Sequence, residues 1–329
     1  MGFAIGIVLV IAAGAAGYFY VAYPDVPPAP HITVKETTAQ VIRGKYLADH
    51  VAMCMDCHST RDFSKFSGPI VAGTFGKGGE KFGKKMGFPG TFYAKNITPY
   101  GLRGWTNGDI YRAITEGVTK NGSALFPVMP YPHFNHMDPR DVKAIIAYLR
   151  TLKPIDFQSP KSKADFPVNF IKRTMPKAYR SPKRPPVSNI VKYGKYLITI
   201  GSCSDCHTPR KNGQPIKKLY MAGGAAFKLP DGTVRSANIT SDKQTGIGSW
   251  TADQFVAYFK QFDVPADSLP NPSQLGFNTI MPWYAYSGMK KRDLKAIFAY
   301  LQTLKPVKHK IRKYTPAERP GSKRSDLNN

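Results

Sequence analysis

Acidic residues and cysteines are scarce in this sequence. Its 329 residues hold 21 Asp+Glu against 47 Lys+Arg, a formal charge of +26. Four cysteines are too few for a disulfide-dense secreted scaffold of this length. A composition that is 42% hydrophobic and 21% charged excludes a collagen-like chain, a wholly disordered chain and a polytopic membrane protein. The length points to two domains. With 29 Gly and 28 Pro, many loops and short helices are expected.

Charge is also missing from the N-terminus, where Phe3 to Tyr23 carries none. A helix over that run would roughly span a bilayer core at about 1.5 Å per residue. Tyr18, Tyr20 and Tyr23 cluster at one end, as an interfacial belt does. Residues 1–23 are therefore expected to form a transmembrane anchor, followed by a Pro-rich spacer over 24–39. The alternative is a cleaved signal peptide, its apolar region ending near Ala12 and its cleavage site in the small residues that follow. No Lys or Arg precedes the run, so the positive-inside rule gives no orientation. Either reading exports the rest of the chain.

What is there in abundance is repetition. Arg43-Gly-Lys-Tyr-Leu47 returns as Tyr193-Gly-Lys-Tyr-Leu197, Cys54-Met-Asp-Cys-His58 as Cys203-Ser-Asp-Cys-His207, and Asn96-Ile-Thr98 as Asn238-Ile-Thr240. Met129–Pro154 aligns without a gap on Met281–Pro306 with 15 of 26 residues identical, which marks a duplication. Each copy reads as a small helical unit. Thr106 and Thr251 are candidate N-caps of a middle helix, and Asp138 followed by Pro139 starts the last one. Val142, Ile145, Ile146, Leu149 and Leu152 then form a helical stripe that Leu294, Ile297, Phe298, Leu301 and Leu304 repeat. Gly44 and Gly194 predict a close crossing of the first and last helices.

Cys-x-x-Cys alone suits a redox dithiol or half a zinc site. With histidine directly attached it is the attachment signal for c-type haem. Cys54, Cys57, Cys203 and Cys206 would bond two porphyrins through thioethers, and His58 and His207 would reach the irons as proximal ligands. No cysteine remains for a thiolate axial ligand. A distal ligand must occur at matching places in both copies, and two methionine pairs do. Met129 lies 71 residues after His58 and Met281 lies 74 after His207, both before a proline in a loop. Met137 and Met289 sit at the helix start, where a side chain that fills the apolar seam is expected. Trp105, Trp250, Asn96 and Asn238 are candidates for packing beside the haem or bonding its propionates, with core packing and turn formation as the alternatives. His133 and His136 have no counterparts in the second copy.

These residues carry a family resemblance. Cys-x-x-Cys-His, the downstream Met-Pro and the terminal Ala-Tyr-Leu helix resemble the class I cytochrome c fold. More narrowly, Asn96-Ile-Thr-Pro, Gly104-Trp-Thr, Asp109-Ile-Tyr-Arg-Ala-Ile-Thr-Glu-Gly-Val and Phe126-Pro-Val-Met-Pro-Tyr resemble the cytochrome c subunits of bacterial periplasmic alcohol, aldehyde and gluconate dehydrogenases. The resemblance implies two tandem class I cytochrome c domains, residues 40–155 and 188–307; together with the N-terminal transmembrane helix read above, the expected fold is all-α. A basic linker over 156–187 and a basic tail over 308–329 complete the chain. It further implies two covalently attached haem c groups and electron transfer rather than catalysis. The expected place is the inner membrane, haem domains on the periplasmic side. The excess positive charge suits an acidic docking face on a redox partner, or anionic lipid; nucleic acid belongs to the wrong compartment. A dihaem peroxidase with one open haem and a haem-based sensor are the competing readings.

Overall fold

The computed structural model describes residues 17–317, together with residues 5, 7, 10 and 14. Helix α1 (Thr38–Tyr46) winds into a π-helical turn over Leu47–Val51 and reaches α2 (Cys54–Cys57). Three further helices complete the first repeat: α3 (Asn107–Glu116), α4 (Tyr131–Phe134) and α5 (Pro139–Thr151). A short α6 (Val168–Ile171) lies in the connection. The second repeat holds α7 (Ile190–Ile200), α8 (Cys203–His207), α9 (Ala252–Lys260), α10 (Pro272–Leu275), α11 (Trp283–Tyr286) and α12 (Lys291–Gln302).

The helix starts follow local chemistry. Thr106 with Asp109 and Thr251 with Gln254 form reciprocal capping boxes, each satisfying two amides that the first turn leaves free. The Asp138 carboxylate accepts from the Arg140 amide and Pro139 fills the first helical position. The apolar stripes of α5 and α12 then close on α1 and α7. Val142, Ile146, Leu197 and Leu294 are fully or almost fully buried in one continuous core.

The close crossing expected at the two glycines is present in both repeats. A Cβ on Gly44 would stand 1.8 Å from the Ala144 carbonyl oxygen, and one on Gly194 1.8 Å from that of Ala296. Only hydrogen fits there, so the backbones of first and last helix touch.

The two repeats lock together through a reciprocal pair of buried bonds. Tyr196 of α7 donates its hydroxyl to Asp141 of α5 at 2.6 Å and accepts from the Asp138 amide at 3.2 Å. Tyr46 of α1 donates to Asp293 of α12 at 2.7 Å and accepts from the Lys290 amide at 3.2 Å. Burial, and then the facing carboxylate, push both phenols well above their ordinary range.

The all-α expectation is corrected. Helix makes up only 38% of the described residues, which also hold three small antiparallel sheets. In the first, β1 (Lys81–Phe82) pairs with β2 (Gly90–Tyr93), and β2 with β3 (Lys163–Ala164). A two-stranded ribbon follows, β4 (Arg210–Lys211) with β5 (Gln214–Pro215). The last sheet repeats the first, with β6 (Ala226–Leu229), β7 (Gly232–Arg235) and β8 (Tyr314–Pro316) in order. Strands of two to four residues are too short for a period-two pattern to register. The expected linker and tail thus each supply the outer strand of a sheet.

The N-terminal transmembrane helix is corrected too. No described helix is long and apolar enough to cross a membrane. The continuous described helix there covers 17–22, a rise of about 9 Å. The rest of the predicted anchor, apart from 5, 7, 10, 14 and 23, lies outside the described residues.

Tyr196→Phe is expected to lower the unfolding free energy by about 1.5–3 kcal/mol, the value of a hydrogen bond to a charged group. Gly194→Ala should cost more, because two backbones must separate. Denaturant midpoints at constant slope measure both.

Candidate functional site

Both cysteine turns are built alike. A non-glycine residue in the left-handed region, Met53 (φ 57°) or Ser202 (φ 54°), breaks the first helix and starts the next turn. Cys54 and Cys57 then stand one turn apart, as do Cys203 and Cys206, all four half-buried and free of disulfides. Burial pushes the thiols of Cys54, Cys57 and Cys203 up to about 12 and that of Cys206 to about 11. Among the described residues, no three His, Cys, Asp or Glu side chains converge on a metal position.

The histidines carry the sharpest agreement between the repeats. His58 Nδ1 lies 2.6 Å from the Lys95 carbonyl oxygen, and His207 Nδ1 lies 2.8 Å from that of Ala237. A carbonyl only accepts, so Nδ1 carries the proton and Nε2 keeps its lone pair. Burial holds both rings below the ordinary imidazole range and favours this neutral form. A metal-binding histidine needs this state, with its second nitrogen fixed by a donor bond. The paired thiols on one turn, followed by a histidine so oriented, fit a covalently attached haem.

The carbonyls that receive these bonds are held by the Asn-Ile-Thr segments. Asn96 accepts from the Thr98 amide at 3.0 Å and hydroxyl at 2.7 Å, and donates to the Ile155 and Phe157 carbonyls at 2.8 and 2.9 Å. Asn238 accepts from the Thr240 amide at 3.0 Å and hydroxyl at 2.8 Å, and donates to Val307 at 2.8 Å and to the Thr245 hydroxyl at 3.0 Å. Both side chains clasp the chain that leaves the last helix against the residue behind each histidine.

The methionine pairs differ in burial. Met137 and Met289 are fully or almost fully buried in the core. Met129 and Met281 are half-buried at its edge, as are Trp105 and Trp250. Each of these methionines sits in the turn before a short helix, with its carbonyl accepting from the amide two residues on, Tyr131 at 2.7 Å and Trp283 at 2.8 Å.

Sequence reasoning passed over the aspartate inside each motif. Asp56 bonds Arg61 at 2.9 Å and Asp205 bonds Arg210 at 2.9 Å. Burial raises the Asp56 carboxyl, against the pull of Arg61 and Tyr284; Asp205 is held low despite its burial by His133 and Arg210. The signal was available, since both copies read Cys-x-Asp-Cys-His-x-x-Arg.

Asn96→Ala is expected to cost about 2 kcal/mol or more, since several buried groups lose partners. It should also open residues 155–165 to protease, as Asn238→Ala should open 307–316; urea unfolding and limited proteolysis check this.

No family model matches the chain. Among curated proteins it is 26% identical over 289 residues to "Alcohol dehydrogenase (quinone), cytochrome c subunit" of Gluconobacter oxydans, a match covering 82% of this chain and 55% of that protein. It is 30% identical over 301 residues to "Fructose dehydrogenase cytochrome subunit" of Gluconobacter japonicus, covering 86% and 57%. With "Diheme cytochrome c-type" of Cereibacter sphaeroides it shares 29% identity over 324 residues, 92% of this chain and 97% of that one. The chain thus spans little more than half the length of the dehydrogenase subunits it matches and nearly all of the dihaem protein. It is a homologue of dehydrogenase cytochrome c subunits and of a dihaem c-type cytochrome.

Proposed function

We propose that the chain is a one-electron carrier with two covalently attached haem c groups, passing electrons from a dehydrogenase or respiratory complex to a terminal acceptor. The reading is carried by one observation: in both repeats the histidine after the cysteine pair donates Nδ1–H to a backbone carbonyl, leaving Nε2 to ligate. Haem, when bound, supplies a one-electron iron couple whose potential the axial ligands set. Cys54 and Cys57, with His58 and Met129, would hold one group in residues 40–155. Cys203 and Cys206, with His207 and Met281, would hold the other in residues 188–307. A thioether ligand in addition to histidine would favour the ferrous state and leave no open position on the iron for substrate.

The relatives' names support a dehydrogenase as donor. Exposed Lys161, Lys163, Lys177, Lys183, Lys308, Lys310, Arg312 and Lys313 suit an acidic partner, which such a field would steer into contact. A place on the periplasmic side of the inner membrane is part of this reading, supported by the two Cys-x-x-Cys-His motifs.

The test is the carbon monoxide difference spectrum of the reduced, haem-loaded full chain. No spectral change is expected, because Met129 and Met281 would each supply the second protein ligand to an iron. Rapid binding at one haem would overturn the carrier reading in favour of a peroxidase or sensor. Met129→Ala should leave haem attached, lower that haem's midpoint potential and admit carbon monoxide; an unchanged potential and spectrum would remove Met129 from the ligand set.

A further inference from the structure

Each methionine loop is fastened by the opposite repeat. Ser67 of the first repeat is fully buried beside the loop that carries Met281. Its amide donates to Asn278 Oδ1 at 3.0 Å, its hydroxyl donates to the Met281 carbonyl at 2.7 Å, and the same oxygen accepts from the Trp283 amide at 2.8 Å. Asn278 returns bonds to the Phe63 and Lys65 carbonyls at 2.8 and 3.3 Å. Three residues beyond Met281, the Tyr284 hydroxyl donates to Asp56 Oδ1 at 2.9 Å. Asp56 belongs to the first cysteine turn, and its other oxygen is held by Arg61. A bond in the opposite direction is present as well. His133, four residues beyond Met129, places Nε2 3.0 Å from Asp205 Oδ2 in the second cysteine turn.

We propose that Ser67 and Asp56 are positioning residues for Met281: the first repeat seats the distal sulfur of the second, and Asp205 does the same for Met129 through His133. The inference rests on the methionine assignment above. Methionine is a flexible, neutral ligand, so its hold on iron depends on the loop that presents it. Ser67 grips that loop on both sides of Pro282, at the Met281 carbonyl and the Trp283 amide. The Asp56 carboxylate, oriented by Arg61, fixes the helix that follows. A disturbance in one repeat therefore reaches the ligand of the other.

The test uses the full haem-loaded chain in its reduced form. A methionine bound to ferrous haem gives strongly ring-shifted methyl proton resonances, one set per haem, and Met129→Ala and Met281→Ala assign them. Ser67→Gly keeps the positive φ of Ser67 (68°) accessible and removes the hydroxymethyl group. It is expected to shift or broaden the Met281 set, leave the Met129 set in place, and raise carbon monoxide affinity at one haem roughly tenfold, the factor that 1.4 kcal/mol gives. Tyr284→Phe should act in the same direction and carries the test if Ser67→Gly does not fold. His133→Ala should move the Met129 set alone. Movement of the Met129 set by Ser67→Gly with the Met281 set unmoved, or no movement in any variant, would overturn the proposal. Absence of ring-shifted methyl signals in the unaltered chain would remove the methionine assignment and this proposal with it, whereas their presence in unmoved positions removes the proposal only.

Discussion

Two buried carboxylates hold the frame together. Asp141 and Asp293 sit almost without exposure in the first turn of the last helix of each repeat, where the helix dipole favours negative charge. Burial of a charge is costly unless it is fully paired. Asp141 meets Arg43, Arg184 and Tyr196; Asp293 meets Tyr46, Tyr193 and Arg292. One phenol in each set comes from the other repeat, so neither carboxylate is satisfied within its own copy. The same helices end at the functional segments: α1 and α7 run into the cysteine turns, and α5 and α12 begin just after the methionine loops. Locking these four helices therefore fixes both ends of each site together.

The repeats are alike where chemistry is expected and unlike where they are fastened. The imidazole bonds and the glycine crossings coincide almost atom for atom, and the Asn-Ile-Thr clasps differ in one partner, the Phe157 carbonyl against the Thr245 hydroxyl. Around them the partners change: Arg43 stands where the second copy has Tyr193, and His133 stands where it has Ala285. A duplication keeps what a site requires and lets the seam between copies diverge.

Much of this was legible in the residues. The Cys-x-x-Cys-His pairs, the threonine caps, the Asp-Pro helix start and the helical stripes depend on contacts within a few positions, and such signals survive in a bare sequence. The sheets did not show, because Lys81–Phe82 and Lys163–Ala164 are too short for alternation and pair over long separations. Ser67 was invisible for a related reason: its partner Met281 lies 214 positions on, and a small polar residue in a loop carries no periodicity. The apolar start of the chain read as a membrane span, yet no described helix is long and apolar enough to cross a membrane.

The outer strands carry a consequence for behaviour at high concentration. Each three-stranded sheet ends on a strand of two or three residues, Lys163–Ala164 or Tyr314–Pro316, drawn from proline-containing segments. A long bare edge invites another chain to add its own strand. Here the side of β2 and of β7 that would otherwise stand open is already taken, and what remains beyond it is too brief to template a neighbour. On that side each sheet is thus closed by the segment that Asn96 or Asn238 also holds.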